Sequence, residues 1–163
     1  MKHFSKRTLL LIAGAIILLG AIGAVVYIST RPYVPTAEEQ VRGVVYGFGD
    51  ELSLVSLVGT SASTTESMDR RYSYYIRPDL LASWKERPQT ALGRQSVLPW
   101  PDHIDIRSLT DNENGTYTVE ATLVGTTQGI DPTSAAKEVP VRFTVSQGPD
   151  GWQISAYEAV VTP

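Results

Sequence analysis

A run of twenty uncharged residues at positions 9–28 constrains this chain more than any other feature of its sequence. The run contains no proline, and an α-helix of this length, rising about 1.5 Å per residue, matches the hydrocarbon core of a bilayer. Inside lipid every backbone N–H and C=O must be hydrogen-bonded within the segment. The sequence therefore predicts a transmembrane helix here.

The charges that flank the run predict its orientation. Lys2, Lys6 and Arg7 precede it with no acidic residue among them, whereas Arg31 follows it and acidic residues begin at Glu38. This bias places the N-terminus in the cytoplasm and the rest of the chain outside. We predict a single-pass inner-membrane protein with a cytoplasmic tail (1–8), a span (9–28), a linker (29–35) and an extracytoplasmic domain (36–163).

A cleaved signal peptide is the alternative to a retained anchor. The apolar run exceeds the 7–15 residues of a usual signal core, and Val25 and Val26 continue it without a clean cleavage site. An anchor is therefore favoured. Gly20 and Ala24 have the spacing of helices that pair closely in membranes, but small residues are common in such helices. A homo-oligomer thus remains open.

Composition restricts the chemistry of the extracytoplasmic part. It has no cysteine, which removes disulfides, thiol nucleophiles and thiolate metal sites. All 17 acidic residues lie at or after Glu38 but only 10 of the 14 Lys and Arg residues do, so its formal charge is near −7. Nucleic acid is therefore not an expected partner. About 130 residues are enough for one domain.

The first half of this domain shows helical spacing. Thr36 and Glu39 form a T-x-x-E capping box, which predicts a helix start. Apolar side chains then recur every three or four residues: Val41, Val44, Val45, Phe48, Leu52 and Val55. We predict helices over residues 37–58, over 66–76 after a polar break at 59–67, and over 77–86 with Pro78 in the first turn.

The second half changes to alternating spacing. Ile104 and Ile106, with Leu109 less regularly placed, predict one inward face, and Tyr117 and Val119 predict the next. Turn signals at 112–115 and 147–151 separate four predicted strands at 103–109, 116–126, 139–145 and 152–161. The fold class is therefore α+β, with three helices followed by four antiparallel strands.

This order of elements, with the segments YYIRPDLLASW, LPWPDHIDI and FTVSQGPDGWQISAYEAV, resembles the nuclear transport factor 2-like superfamily. The resemblance covers about residues 36–161 and implies a cone-shaped domain of three helices packed on a curved four-stranded antiparallel sheet. It is closest to small membrane-anchored bacterial proteins of unknown function. The superfamily includes ketosteroid isomerase, assembly proteins and plain binding modules, so the resemblance leaves function open.

Proton transfer in the manner of ketosteroid isomerase needs a carboxylate base and hydrogen-bond donors that face a dry pocket. Asp102, Asp105 or His103 would supply the base; the candidate donors are Tyr72, Tyr74, Tyr75 and Tyr117. However, Tyr72 and Tyr75 have the spacing of helix core residues, and no residue matches a catalytic motif of the superfamily one for one. We assign no catalytic residue.

The ectodomain has one histidine, His103, so the sequence predicts no metal site and no cofactor. Trp100, between two prolines, suits either the wall of a pocket mouth or the edge of the core. The predicted ligand or partner surface consists of Tyr72, Tyr75, Trp84, Trp100, Asp102, His103 and Tyr117.

The leading functional hypothesis is a non-catalytic binding or assembly module on the outer side of the inner membrane. An accessory of a conjugation or type IV secretion apparatus is one form of it. The expected partners are an envelope protein, a second copy of the chain or a small apolar ligand. The alternative is a pocket isomerase or hydrolase of the same fold.

Overall fold

The computed structural model describes residues 33–55, 61–92, 101–125 and 137–159. The chain divides into two units, Met1–Pro35 and Thr36–Pro163. The predicted membrane segment at 9–28 lies outside the described residues. Within those residues, no helix combines the length and the apolar character needed to cross a bilayer.

In the described part of the second unit, three helices are followed by one sheet. The helices are α1 (Ala37–Leu52), α2 (Ser61–Tyr72) and α3 (Pro78–Glu86), with a 3₁₀ turn at Pro88–Thr90. The strands are β1 (Pro101–Asp111), β2 (Thr116–Gly125), β3 (Lys137–Gly148) and β4 (Gly151–Ala159), hydrogen-bonded in that order. Every neighbouring pair is antiparallel. The predicted α+β class, the three helices and the four antiparallel strands are confirmed.

Helix α1 begins at the predicted capping box and ends earlier than predicted. Glu39 N–H donates to Thr36 Oγ1 at 3.3 Å, and Thr36 N–H donates to Glu39 Oε2 at 2.7 Å. The predicted end near residue 58 is wrong, because the helix stops at Leu52. Ser53 Oγ donates to the Asp50 carbonyl at 3.3 Å, a side-chain bond that competes with continued helix. Val55 is buried although it lies after the end of the helix, so its spacing of three residues from Leu52 does not indicate a helical position.

Helix α2 begins before the predicted residue 66, inside the segment predicted to be a polar break. Thr64, Met68 and Tyr72 are four residues apart and all buried, so the inward stripe begins at a threonine. The helix also ends before Ile76. Ile76 instead bridges to Ile154, and the backbone of Tyr75 accepts from Ile154 N–H at 2.8 Å. The segment after α2 is therefore hydrogen-bonded through its backbone to β4. Helix α3 follows with Pro78 at its start, as predicted.

A bulge in β1 explains the irregular spacing of its apolar residues. The pairing with β2 shifts between Ile106 and Ser108, so Arg107 is the extra residue. Leu109 consequently pairs with Val119 and shares its inward face. The inner face of the sheet carries apolar side chains that pack against the helices: Tyr117, Val119, Ala121, Leu123, Val141, Phe143 and Val145.

The opposite face of the sheet is polar. Arg142 on β3 lies between Glu120 on β2 and Glu158 on β4, and its Nε donates to Glu120 Oε1 at 2.6 Å. Hydrogen bonds to both carboxylates raise the pKa of the Arg142 guanidinium. The described helices thus cover one face of the sheet, and solvated charges cover the other.

The β1–β2 turn holds a glutamate in a conformation that suits asparagine better. Glu113 has φ +57°, a left-handed conformation that costs a residue with a Cβ about 1 kcal/mol. Asparagine tolerates this conformation, so Glu113→Asn is expected to raise the free energy of unfolding by about 0.5 kcal/mol. In the same turn, Gly115→Ala at φ +77° is expected to lower it by about 1 kcal/mol. Urea unfolding of both variants checks this; equal shifts would contradict it.

Candidate binding groove

Aromatic rings of the described residues pack together between the helices and the sheet. Phe48 lies with its ring centroid 5.2 Å from Tyr72, 5.9 Å from Trp84 and 6.3 Å from Phe143. We call these four residues the aromatic core. Tyr72 is 1% exposed and Trp84 is 2% exposed. Both were assigned to the predicted ligand or partner surface, but they are buried in the core, as the helical spacing of Tyr72 indicated.

A surface groove of about 380 Å³ opens beside α1. It lies between the first half of α1, the turn after α2 and the β3–β4 turn. We call it the tyrosine groove, and its lining residues are Gln40, Gly43, Val44, Tyr74, Tyr75, Asp150, Gly151 and Trp152. Of the predicted surface residues, Tyr75 lines it directly.

Two pairs of aromatic rings shape the tyrosine groove. Tyr74 and Tyr75 meet edge to face with centroids 5.1 Å apart, and Tyr74 is 72% exposed. Trp152 rests against Tyr117, also edge to face, at 5.2 Å. Tyr117, one of the predicted surface residues, is buried and does not line the groove, but its ring contacts Trp152, which does. Both pairs have the geometry that aromatic quadrupoles favour.

Glycines on α1 make room for these rings. A Cβ placed on Gly47 would lie 2.5 Å from Tyr75 Cε1, closer than van der Waals contact allows. Gly43 lines the groove and has open space where its side chain would be. The helix therefore presents bare backbone to the groove at Gly43 and accepts the Tyr75 ring at Gly47.

The pKa values of Tyr75 and Tyr117 are raised above the ordinary tyrosine value. Burial raises the pKa of Tyr75, and the negative charges of Glu51 and Asp50 raise it further. Burial also raises the pKa of Tyr117, with a hydrogen bond to Asp111 and the charge of Glu38 as further causes. Both phenols are consequently neutral throughout the physiological pH range.

Asp102 and His103 lie on β1 and do not line the tyrosine groove. His103 Nδ1 is 2.7 Å from Asp102 Oδ2, and its Nε2 is 3.7 Å from Asp105 Oδ1. The hydrogen bond to Asp102 is the main cause that raises the pKa of His103. An imidazole with a carboxylate at each nitrogen favours its protonated form, which suits a donor rather than a general base. Trp100 lies outside the described residues.

Stability is expected to depend on His103 over a defined pH range. Because its pKa is raised in the folded state, its stabilising effect is complete below about pH 6.5 and is lost as the pH rises through the folded value. The imidazole is half exposed, so the effect is a few tenths of a kcal/mol. Wild type and His103→Gln should differ most at about pH 6 and converge by about pH 8 in urea unfolding. A difference that stays constant across this range would contradict the assignment.

Within residues 33–55, 61–92, 101–125 and 137–159, no group of three or more His, Asp or Glu residues is arranged to hold a metal ion. The hairpin turn predicted at 147–151 is confirmed, since β3 ends at Gly148 and β4 begins at Gly151. Asp150 and Trp152 line the groove but are not among the predicted site residues, because their proximity to Tyr74 and Tyr75 depends on tertiary packing.

No family model matches the chain, and neither does any curated protein. Among solved structures, it is similar to the intermembrane space region of the chloroplast protein ARC6, with a TM-score of 0.43 and 16% identity. The alignment covers 80% of this chain and 100% of that one. Similarity at this level assigns neither a fold family nor a function.

Proposed function

We propose that this chain is a membrane-anchored extracytoplasmic binding or assembly module, held at the inner membrane by residues 9–28. The observation that carries the proposal is the packed aromatic core of the described residues. Proton transfer inside such a domain needs a base and donors that face open space, and here the aromatic core occupies the space between helices and sheet. Recognition at the surface does not need that space.

The tyrosine groove on the surface of the domain also supports this proposal. It combines exposed and partly buried aromatic rings, which are enriched at protein interfaces.

The nuclear transport factor 2-like assignment belongs to the proposal as well. Three helices on one face of a four-stranded antiparallel sheet is the element order that this resemblance implies.

Oxidative footprinting of tyrosines tests the binding role. Tyr74 on the groove and Tyr46 on α1 are both exposed, but Tyr46 does not line the groove. If a partner occupies the groove, Tyr74 should be labelled less in native membranes than in the purified full-length chain, whereas Tyr46 should be labelled equally in both. Equal labelling of Tyr74 in the two preparations would overturn the proposal.

The anchor has a separate test. A chain held by residues 9–28 should resist extraction from membranes at alkaline pH, and an added protease should cleave its C-terminal domain in spheroplasts without lysis. Recovery in the soluble fraction, or protection from protease until the cells are lysed, would contradict the proposed location.

A further inference from the structure

We propose that the tyrosine groove binds a basic side chain, arginine or lysine, of the partner protein. This inference rests on the proposed binding function and adds the chemistry that the groove recognises. It is argued from the rings that line the groove, from the carboxylates around it and from the placement of the nearby basic residues.

The lining of the groove suits a cation on an aliphatic stem. The aromatic residues Tyr74, Tyr75 and Trp152 line the groove, and a guanidinium or ammonium over the face of such a ring is attracted by its quadrupole. Val44 and the bare backbone at Gly43 supply an apolar contact for the methylene groups of the stem. A volume of about 380 Å³ accommodates one side chain of this kind rather than a helix.

The charges around the groove are complementary to a cation. Asp150 is part of the lining, and among the described residues that line the groove none is lysine or arginine. The negative charge of Asp50 acts on Tyr75, and that of Glu38 acts on Tyr117, whose ring packs against Trp152; Glu51 also acts on Tyr75 but is itself paired with Arg71. The chain from Glu38 onward has a formal charge near −7, from 17 acidic and 10 basic residues. A basic partner is therefore favoured over a neutral or acidic one.

The nearby basic side chains of the described residues do not line the groove. Arg71 is bound to Glu51 at 2.9 Å. Arg77 is paired with Asp79 at 3.4 Å, and its Nη1 lies 4.0 Å from where a Cβ on Gly148 would stand, so it reaches the β3–β4 turn without being part of the lining. On α1, Arg42 points about 150° around the helix from the centre of the groove-lining positions, at 100° per residue. None of these three occupies the groove as an internal cation.

Fluorine NMR of the full-length chain in detergent micelles, labelled with fluorotryptophan, tests the inference. The probe is a capped Gly-Arg-Gly peptide, and the matched control replaces arginine with citrulline, its neutral analogue of similar shape. The arginine peptide should shift the Trp152 resonance saturably and leave that of buried Trp84 in place. The citrulline peptide should bind about fivefold more weakly or less.

Asp150→Asn provides the matched variant. It preserves size and removes one charge, and we expect it to weaken binding of the arginine peptide about two- to fivefold. An unchanged Trp84 resonance in this variant would show that the fold is intact. Equal shifts from both peptides, no shift of Trp152 with the arginine peptide, or unaltered binding in Asp150→Asn would each overturn the inference.

The failures of this inference and of the proposed function are distinguishable. If Tyr74 is protected in native membranes but the arginine peptide leaves Trp152 unchanged, the binding function stands and its basic specificity is wrong. If Tyr74 is labelled equally in membranes and in the purified chain, the proposed function itself fails.

Discussion

Replacing Trp84 with alanine is expected to lower the free energy of unfolding by about 3–5 kcal/mol. The indole is 2% exposed and lies against Phe48 at 5.9 Å, Tyr72 at 6.2 Å and Tyr157 at 5.3 Å. Its removal leaves a cavity where α1, α2, α3 and β4 meet. Domains of this size are stable by about 5–15 kcal/mol, so this loss is a large fraction of the total.

Tyr74→Ala is the matched control, because Tyr74 is also aromatic but 72% exposed. Its effect should stay within about 0.5 kcal/mol. Both effects are measured by urea unfolding of the full-length chain in detergent, followed by near-ultraviolet circular dichroism. If Trp84→Ala cost no more than Tyr74→Ala, the interior would not be filled as described, and an open pocket would again be a candidate.

Gly49→Val is expected to lower the free energy of unfolding by about 2–3 kcal/mol. A Cβ at this position would lie 3.1 Å from the Ile104 backbone nitrogen and 3.2 Å from Ile104 Cβ. The obstacle is partly backbone of β1, which cannot turn aside as a flexible side chain can. Valine adds two further methyl groups to this contact, so α1 would have to move away from the sheet.

Gly43→Ala is the opposite case on the same helix. Nothing lies within 4 Å of the position its Cβ would take, so alanine is expected to raise the free energy of unfolding by about 0.5–1 kcal/mol through helix propensity alone. Urea unfolding of the two variants gives both values. If they shift stability in the same direction, the close packing of α1 on β1 is wrong.

The sequence predicted the elements better than their limits. The capping box at Thr36 and Pro78 at the start of α3 are local signals with a direct physical cause, and the structure confirms both helix starts. The start of α2 was missed because Thr64 is buried there, and threonine spacing carries little hydrophobic signal. The position of Leu109 could not be fixed from alternation alone, because the bulge at Arg107 reverses the phase.

The candidate site was predictable only in part. Tyr75 was included among the surface residues, and it lines the groove; Tyr117 was included too, but it lies beneath. Tyr72 was included as a candidate hydrogen-bond donor, but its helical spacing indicated the core, and both Tyr72 and Trp84 are buried there. Asp150 and Trp152 reach the groove through the β3–β4 turn, and that proximity depends on tertiary packing that periodicity does not encode.

Photo-crosslinking in native membranes tests the central claim most directly. The probe replaces Tyr74 on the groove, and the control probe replaces exposed Thr110 on β1. We predict a discrete protein adduct at Tyr74, none at Thr110, and loss of the adduct when Trp152→Leu is combined with the Tyr74 probe. The same adducts at both positions, or no protein adduct at Tyr74, would contradict a binding module that uses this groove.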